Sequence, residues 1–157
     1  MRKLAAIGVG VAAYVAVAAC AHTMDTVRTS SVDWNLHLAG SEAKLAYGQP
    51  NSDLVGLMMS CERGSGAVLV SGDVTPERPV LVLASGRQTL KLQGDASPDP
   101  YTGGLFMEAE TSTEADTLKR FQRTGDLALK QRLGKLEMRA SDNAKGDIRK
   151  FFAHCEA

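Results

Sequence analysis

Aromatic side chains and surplus positive charge are both scarce in this sequence of 157 residues. Phe, Trp and Tyr make up 5% of the chain, and its 18 Lys and Arg residues are balanced by 18 Asp and Glu. Proteins that bind nucleic acids commonly carry a basic patch or a platform of exposed aromatic rings. The sequence has neither feature, so we expect no nucleic acid among its partners.

Motifs for enzymatic chemistry are also missing from the sequence. It contains no G-x-S-x-G, no P-loop and no dinucleotide-binding glycine pattern. Its three His residues do not cluster with Cys or carboxylates at the spacings of metal ligands. Glu108 and Glu110 would lie on one face of a strand, but strands often carry charge for solubility. We therefore expect no catalytic residue, no metal and no cofactor.

The one long apolar run stands at the start of the chain. Arg2 and Lys3 precede it, and residues 4–17 contain no charge. A run of this length is typical of a secretory signal peptide and is shorter than the roughly 20 apolar residues that span a bilayer. The segment that follows, Val17-Ala18-Ala19-Cys20, resembles the lipobox of bacterial lipoproteins, where the chain is cut before a cysteine that carries lipid.

The lipobox resemblance implies a division of the chain into three parts. Residues 1–19 would be a signal peptide, residues 20–31 a lipidated cysteine and flexible tether, and residues 32–157 a single folded domain. The lipid on Cys20 would anchor the protein to a membrane of the cell envelope. By resemblance to known sorting rules, the residue after Cys20 favours the outer membrane because it is not acidic, which leaves the domain in the periplasm.

Two other fates of the N-terminal run stay open. Ala19-Cys20-Ala21 also fits an A-x-A cleavage pattern, which would remove Cys20 and release a soluble protein. The run could instead remain uncut as an anchor.

Lipidation of Cys20 would leave two of the three cysteines, Cys61 and Cys155, in an oxidising compartment where disulfides form and persist. The sequence has no C-x-x-C motif and no neighbouring His cluster that would indicate a redox or metal role. Cys155 falls on the apolar stripe of a C-terminal helix, where a cysteine on a strand could meet it. We therefore predict a disulfide between Cys61 and Cys155.

From residue 32 onward the sequence has the pattern of antiparallel β-structure. Val32, Trp34, Leu36 and Leu38 alternate with polar residues, and short apolar segments separated by turn residues follow. Residues 54–61 are apolar enough to predict a strand buried for most of its length, and residues 94–104 predict a long exposed loop. The pattern predicts a mainly β domain of about eight strands, either an antiparallel sandwich or a partly open barrel.

Two helices are predicted towards the end of the chain. Residues 111–114, Thr-Ser-Thr-Glu, resemble a capping box before a short helix near 113–124, and Gly125 would end that helix. Ser141 or Asp142 would cap a second helix over 142–155. Its apolar positions follow helical spacing and form one stripe: Ile148, Phe151, Phe152 and Cys155.

Two short segments resemble the membrane-bound inhibitors of C-type lysozyme, which are small envelope lipoproteins with a β-barrel fold. The segments are residues 61–64, Cys-Glu-Arg-Gly, and residues 83–87, Leu-Ala-Ser-Gly-Arg. The resemblance implies a binding loop at Ser85, Gly86 and Arg87 that enters the lysozyme cleft, with Lys91 as a further contact. The chain departs from the family because no aromatic residue follows Gly86 and a helical tail is added.

These patterns favour a non-enzymatic lipoprotein that serves as an accessory or binding protein of the cell envelope. Its expected partners are the membrane, through the N-terminal lipid, and another envelope protein. The alternatives are a periplasmic inhibitor of the lysozyme-inhibitor type and a carrier of a small apolar ligand.

Overall fold

The alternating pattern that starts at Val32 forms the first strand of a β-sandwich in the computed structural model. The structure describes residues 32–76, 79–99, 103–131 and 134–157. The predicted signal peptide, Cys20 and the predicted tether lie outside the described residues. No helix among the described residues is long and apolar enough to cross a membrane.

The described residues contain ten strands and two helices. In chain order they are β1 (Asp33–Ala39), β2 (Glu42–Gly48), β3 (Val55–Glu62), β4 (Ala67–Val74), β5 (Leu81–Ser85), β6 (Gln88–Leu92), β7 (Asp95–Pro98), β8 (Leu105–Ser112), α1 (Asp116–Thr124), β9 (Asp126–Gln131), β10 (Gly134–Arg139) and α2 (Asp142–Glu156).

The strands form two antiparallel sheets. The larger sheet has six strands in the order β1-β2-β3-β4-β8-β7, and the smaller has four in the order β10-β9-β5-β6. The sheets remain separate, so the fold is sandwich-like and not a closed barrel. The predicted mainly β antiparallel architecture with a short helix and a C-terminal helix is therefore confirmed.

The core lies between the inner sides of both sheets and the two helices, and its buried residues form one continuous cluster. Trp34 of β1 is at its centre: the ring centroids of Trp34 and Phe121 of α1 are 4.8 Å apart, and those of Phe121 and Phe152 of α2 are 6.2 Å apart. The Trp34 indole Nε1 also donates a hydrogen bond of 3.2 Å to the buried carbonyl of Met138. This bond joins β1 to β10 and so links the two sheets.

Helix α2 follows its sequence signals closely. Ser141 is the N-cap, and its hydroxyl accepts a hydrogen bond of 3.3 Å from the Ala144 amide. The predicted stripe of Ile148, Phe151, Phe152 and Cys155 is fully buried. Because this stripe faces the larger sheet, Cys155 reaches the strand that carries Cys61.

The predicted disulfide between Cys61 of β3 and Cys155 of α2 is present, with a Cα–Cα distance of 5.7 Å. The turn between β3 and β4 adds two hydrogen bonds there, since the amides of Gly64 and Gly66 donate to the carbonyls of His154 and Cys155. These carbonyls belong to the last helical turn and have no partner within the helix. Gly64 has a φ of +70°, and a Cβ on it would lie 2.4 Å from the Ala157 carbonyl oxygen, so only glycine fits this turn.

Two local predictions were wrong in detail. The residues that resemble a capping box do not cap α1, because its N-cap is Ala115, which makes no side-chain cap bond. The Ser112 hydroxyl instead accepts a hydrogen bond from the Glu114 amide in the preceding turn. The predicted loop over residues 94–104 contains the short strand β7, which pairs with β8.

Candidate functional site: the outer face of the six-stranded sheet

The six-stranded sheet has one face covered by the core and one face that no described helix or strand covers. The covered face carries alternate residues of the strands, for example Leu45, Met59 and Val70, which are fully buried in the core cluster with α2. On β2, β3, β4, β8 and β7, the residues between these buried ones lie on the opposite face of the sheet. We define the outer face by these residues. These positions are Glu42, Lys44, Ala46, Met58, Ser60, Glu62, Ala67, Leu69, Ser71, Asp73, Asp95, Ser97, Phe106, Glu108 and Glu110.

Apolar side chains occupy the middle of the outer face. Met58 and Leu69 are diagonal neighbours on β3 and β4, since Met58 lies opposite Ser71 and Ser60 lies opposite Leu69. Both are half-buried, as is Phe106 on β8. Neighbouring side chains on a sheet face shelter one another, but these residues do not belong to the core cluster. They form an apolar surface that a partner could cover.

Carboxylates surround this apolar surface on two sides. Glu42 and Glu62 lie directly opposite each other at the end of β2 and β3, and Glu110 lies opposite Leu69 on β8. Between them the face has a shallow depression with a volume of about 260 Å³. The depression is lined by Glu42, Ser60, Cys61, Glu62, Ser65, Ala67, Leu69 and Glu110.

Negative charge exceeds positive charge on the outer face. Lys44 forms an ion pair with Glu42 at 3.1 Å, and the side chains of both residues are well exposed. At the β7 edge of the outer face, Asp95 of β7 lies directly opposite Glu108 of β8. Like charges directly opposite on neighbouring strands destabilise the pairing. The face therefore keeps electrostatic repulsion that a cationic partner would relieve.

The pKa of Asp73, at the far end of the outer face, is raised in the folded protein. Partial burial of the carboxyl group raises its pKa above the ordinary value of 3.8, and the nearby carboxylate of Asp99 raises it further. A carboxyl group with a raised pKa in the folded state binds its proton more tightly there than in the unfolded chain. Its stabilising contribution is present below pH 3.8 and is lost as the pH rises through the raised pKa.

We accordingly expect Asp73→Asn to raise the melting temperature at neutral pH, because the amide carries no charge to be desolvated or repelled. The gain should shrink towards zero at about pH 3, where the wild-type carboxyl group is itself mostly protonated. Thermal unfolding of both proteins across this pH range measures the difference. A gain that stays constant or grows as the pH falls would contradict this account.

The predicted binding loop at Ser85, Gly86 and Arg87 lies elsewhere, at the turn between β5 and β6 of the smaller sheet. Ser85 is buried, and its hydroxyl donates a hydrogen bond of 2.7 Å to the Asp126 carbonyl. Gly86 and Arg87 are exposed, and the Arg120 guanidinium lies directly behind Gly86. The structure therefore brings Gly86 and Arg87, but not the Ser85 hydroxyl, to the surface of this turn.

The histidines of the folded part lie in separate places. His37 is exposed on β1, opposite Lys44, while His154 is buried with its Nε2 2.8 Å from the Ser41 carbonyl oxygen. Among the described residues there is no group of three or more His, Cys, Asp or Glu side chains that could hold a metal ion.

The sequence pattern alone did not identify the outer face. Residues 54–61 predicted a strand buried for most of its length, but Met58 and Ser60 are only half-buried and Leu54 is 70% exposed. The pairs Glu42–Glu62 and Leu69–Glu110 join residues far apart in the chain, so only the strand order brings them together. The available signal was the alternation of Met58, Ser60 and Glu62 with Leu57, Met59 and Cys61 on β3.

Comparison of this chain with protein-family models, with curated proteins and with solved structures finds no significant match.

Proposed function

We propose that this chain is a non-enzymatic, lipid-anchored accessory protein of the bacterial cell envelope, which binds a protein partner through the outer face of its six-stranded sheet. The lipid is attached to Cys20, and residues 21–31 give the domain its distance from the membrane. The same proposal places the lipid anchor in the outer membrane and the domain in the periplasm.

Two independent features support placement in the envelope. The first is the lipobox-like segment Val17-Ala18-Ala19-Cys20 after an uncharged run. The second is the disulfide between Cys61 and Cys155. Disulfides persist in the periplasm and outside the cell, while the cytosol keeps thiols reduced. The bond therefore supports the export that the N-terminal segment predicts.

The observation that carries the binding role is the uncovered, half-apolar outer face. Met58, Leu69 and Phe106 are half-buried there without joining the core, and Glu62 and Glu110 line the depression beside Leu69. Apolar side chains with a polar rim are typical of protein interfaces. A sheet face of this kind suits a protein partner better than a small molecule, because its depression is shallow and open.

Site-specific photo-crosslinking in cells tests the proposal on the full-length, lipidated protein. A photoreactive amino acid in place of Met58 should yield one dominant adduct with an envelope protein. The same amino acid in place of Arg149, which is exposed on α2 away from the outer face, should not yield that adduct. Absence of an adduct from position 58, or the same adducts from both positions, would overturn the binding surface.

The anchor is tested in the same cells with a Cys20→Ser variant. Incorporation of labelled palmitate should be lost, because serine cannot form the thioether. Palmitate labelling that persists in this variant would overturn lipidation at Cys20.

A second candidate function is inhibition of C-type lysozyme, which the exposed Gly86 and Arg87 at the turn between β5 and β6 favour. Under this alternative, an excess of the detergent-solubilised protein would slow lysozyme digestion of cell walls, and Arg87→Ala would reduce the effect. Unchanged lysozyme activity in the presence of excess protein would remove this alternative.

A further inference from the structure

The outer face carries a marked imbalance of charge. Its positions on β2, β3, β4, β8 and β7 hold one lysine, Lys44, and that lysine already pairs with Glu42. The carboxylates at the remaining positions are Glu62, Asp73, Asp95, Glu108 and Glu110. The whole chain has no net charge, so the imbalance belongs to this face.

None of these five carboxylates has an ion-pair partner among the described residues, and two of them, Glu62 and Glu110, lie at the depression. Both line the depression, and Glu62 also lies directly opposite Glu42 on the neighbouring strand. An unpaired carboxylate beside another one costs stability in the free protein. A cation in the depression would be attracted by both Glu62 and Glu110.

The depression has an apolar floor and a charged rim. Leu69 and Ala67 of β4 form this floor, and the hydroxyl groups of Ser60 and Ser65 lie beside it. Lysine and arginine side chains match this arrangement. Their aliphatic stem packs on an apolar surface, and their charged head stays near water and carboxylates. A volume of about 260 Å³ can receive one such side chain.

We propose that the outer face binds a cationic segment of the partner protein, with one lysine or arginine side chain in the depression. Its aliphatic stem lies on Leu69 and Ala67, and its charged head lies between Glu62 and Glu110. Apolar residues of the same segment cover Met58. This inference rests on the proposed function, because it specifies the partner's chemistry at the same face.

Peptide binding to the purified full-length protein in detergent tests the proposal. The probe is a short fluorescent peptide with arginine at alternate positions and threonine between them, and its control has glutamine in place of each arginine. Fluorescence anisotropy should detect binding of the arginine peptide that weakens as salt is added, because salt screens exposed charge pairs. The glutamine peptide should bind at least tenfold more weakly.

A Glu62→Gln/Glu110→Gln double variant should bind the arginine peptide about fivefold to tenfold more weakly than the wild type, the effect expected from losing two partly exposed charge pairs. The matched control is Asp126→Asn/Glu137→Gln, which removes two exposed carboxylates from the smaller sheet. This control should bind as the wild type does.

Equal loss of binding in both double variants would show attraction by overall charge and would overturn the site. Equal binding by the wild type and the Glu62→Gln/Glu110→Gln variant would also overturn it. Neither result changes the adduct expected from position 58, so failure of the cationic-segment proposal is distinguishable from failure of the binding face itself.

Discussion

Replacement of Cys61 and Cys155 together by alanine should lower the free energy of unfolding by about 4 kcal/mol. The disulfide joins residues that are 94 positions apart. In the chain-entropy model, a loop of this length restricts the unfolded chain enough to contribute about 4 to 5 kcal/mol, and native-state strain usually reduces that value. Natural domains are stable by only about 5–15 kcal/mol, so this loss would remove a large part of the total.

The bond that this double variant lacks is the one that joins α2 to β3. The disulfide holds the last turn of α2 against β3, where the amides of Gly64 and Gly66 also donate to carbonyls of that turn. Without the bond, the carbonyls still have their partners, so the domain should fold with lower stability and keep its architecture. Alanine is the better replacement because a serine hydroxyl at the fully buried position 155 would lack a partner.

Urea unfolding followed by the fluorescence of the single tryptophan, the buried Trp34, measures this loss. Addition of a reductant should produce the same loss in the wild-type protein and no change in the double variant. If the variant were as stable as the oxidised wild type, the disulfide would not be a main source of stability. A reductant effect on the variant would show that the loss in the wild type has another cause.

Local signals in the sequence were sufficient for most of the fold. Local signals of this kind are the alternation that starts at Val32, the turn residues between strands, the glycine that ends α1 and the serine that caps α2. Each acts over a few residues. Such signals can be recognised without knowledge of the rest of the chain. The disulfide was also predictable, because helical spacing placed Cys155 on the buried stripe.

The strand β7 and the order of strands in the sheets could not be predicted in this way. Asp95–Pro98 contains no apolar alternation, and it is a strand because its backbone pairs with β8. The neighbours β4 and β8 are separated in the chain by three strands, β5, β6 and β7. Pairings of this kind depend on how the whole core packs, and no local pattern records them.

The candidate site depends on the same long-range pairings. Glu108 and Glu110 could be placed on one face of a strand from their spacing alone. Their proximity to Leu69, and the position of Glu62 opposite Glu42, follow from the register of β8 on β4 and of β3 on β2. A charged binding face assembled from several strands is therefore visible only in the folded chain.

The ring of Phe121 connects three parts of the core, and we expect Phe121→Ala to lower the free energy of unfolding by about 3–5 kcal/mol. Phe121 is fully buried on α1, between Trp34 of β1 and Phe152 of α2. Removing the ring leaves a cavity whose walls belong to a sheet and two helices. These walls cannot easily close, because Trp34 is held by its hydrogen bond to Met138 and α2 by the disulfide.

The matched control for this variant is Arg123→Ala, which changes an exposed residue of the same helix and should alter stability by less than about 0.5 kcal/mol. Urea unfolding of both variants by Trp34 fluorescence gives the two values. The native emission of Trp34 should also change in Phe121→Ala, since the ring now 4.8 Å away is lost. A loss below about 1 kcal/mol would mean that the core closes over the missing ring.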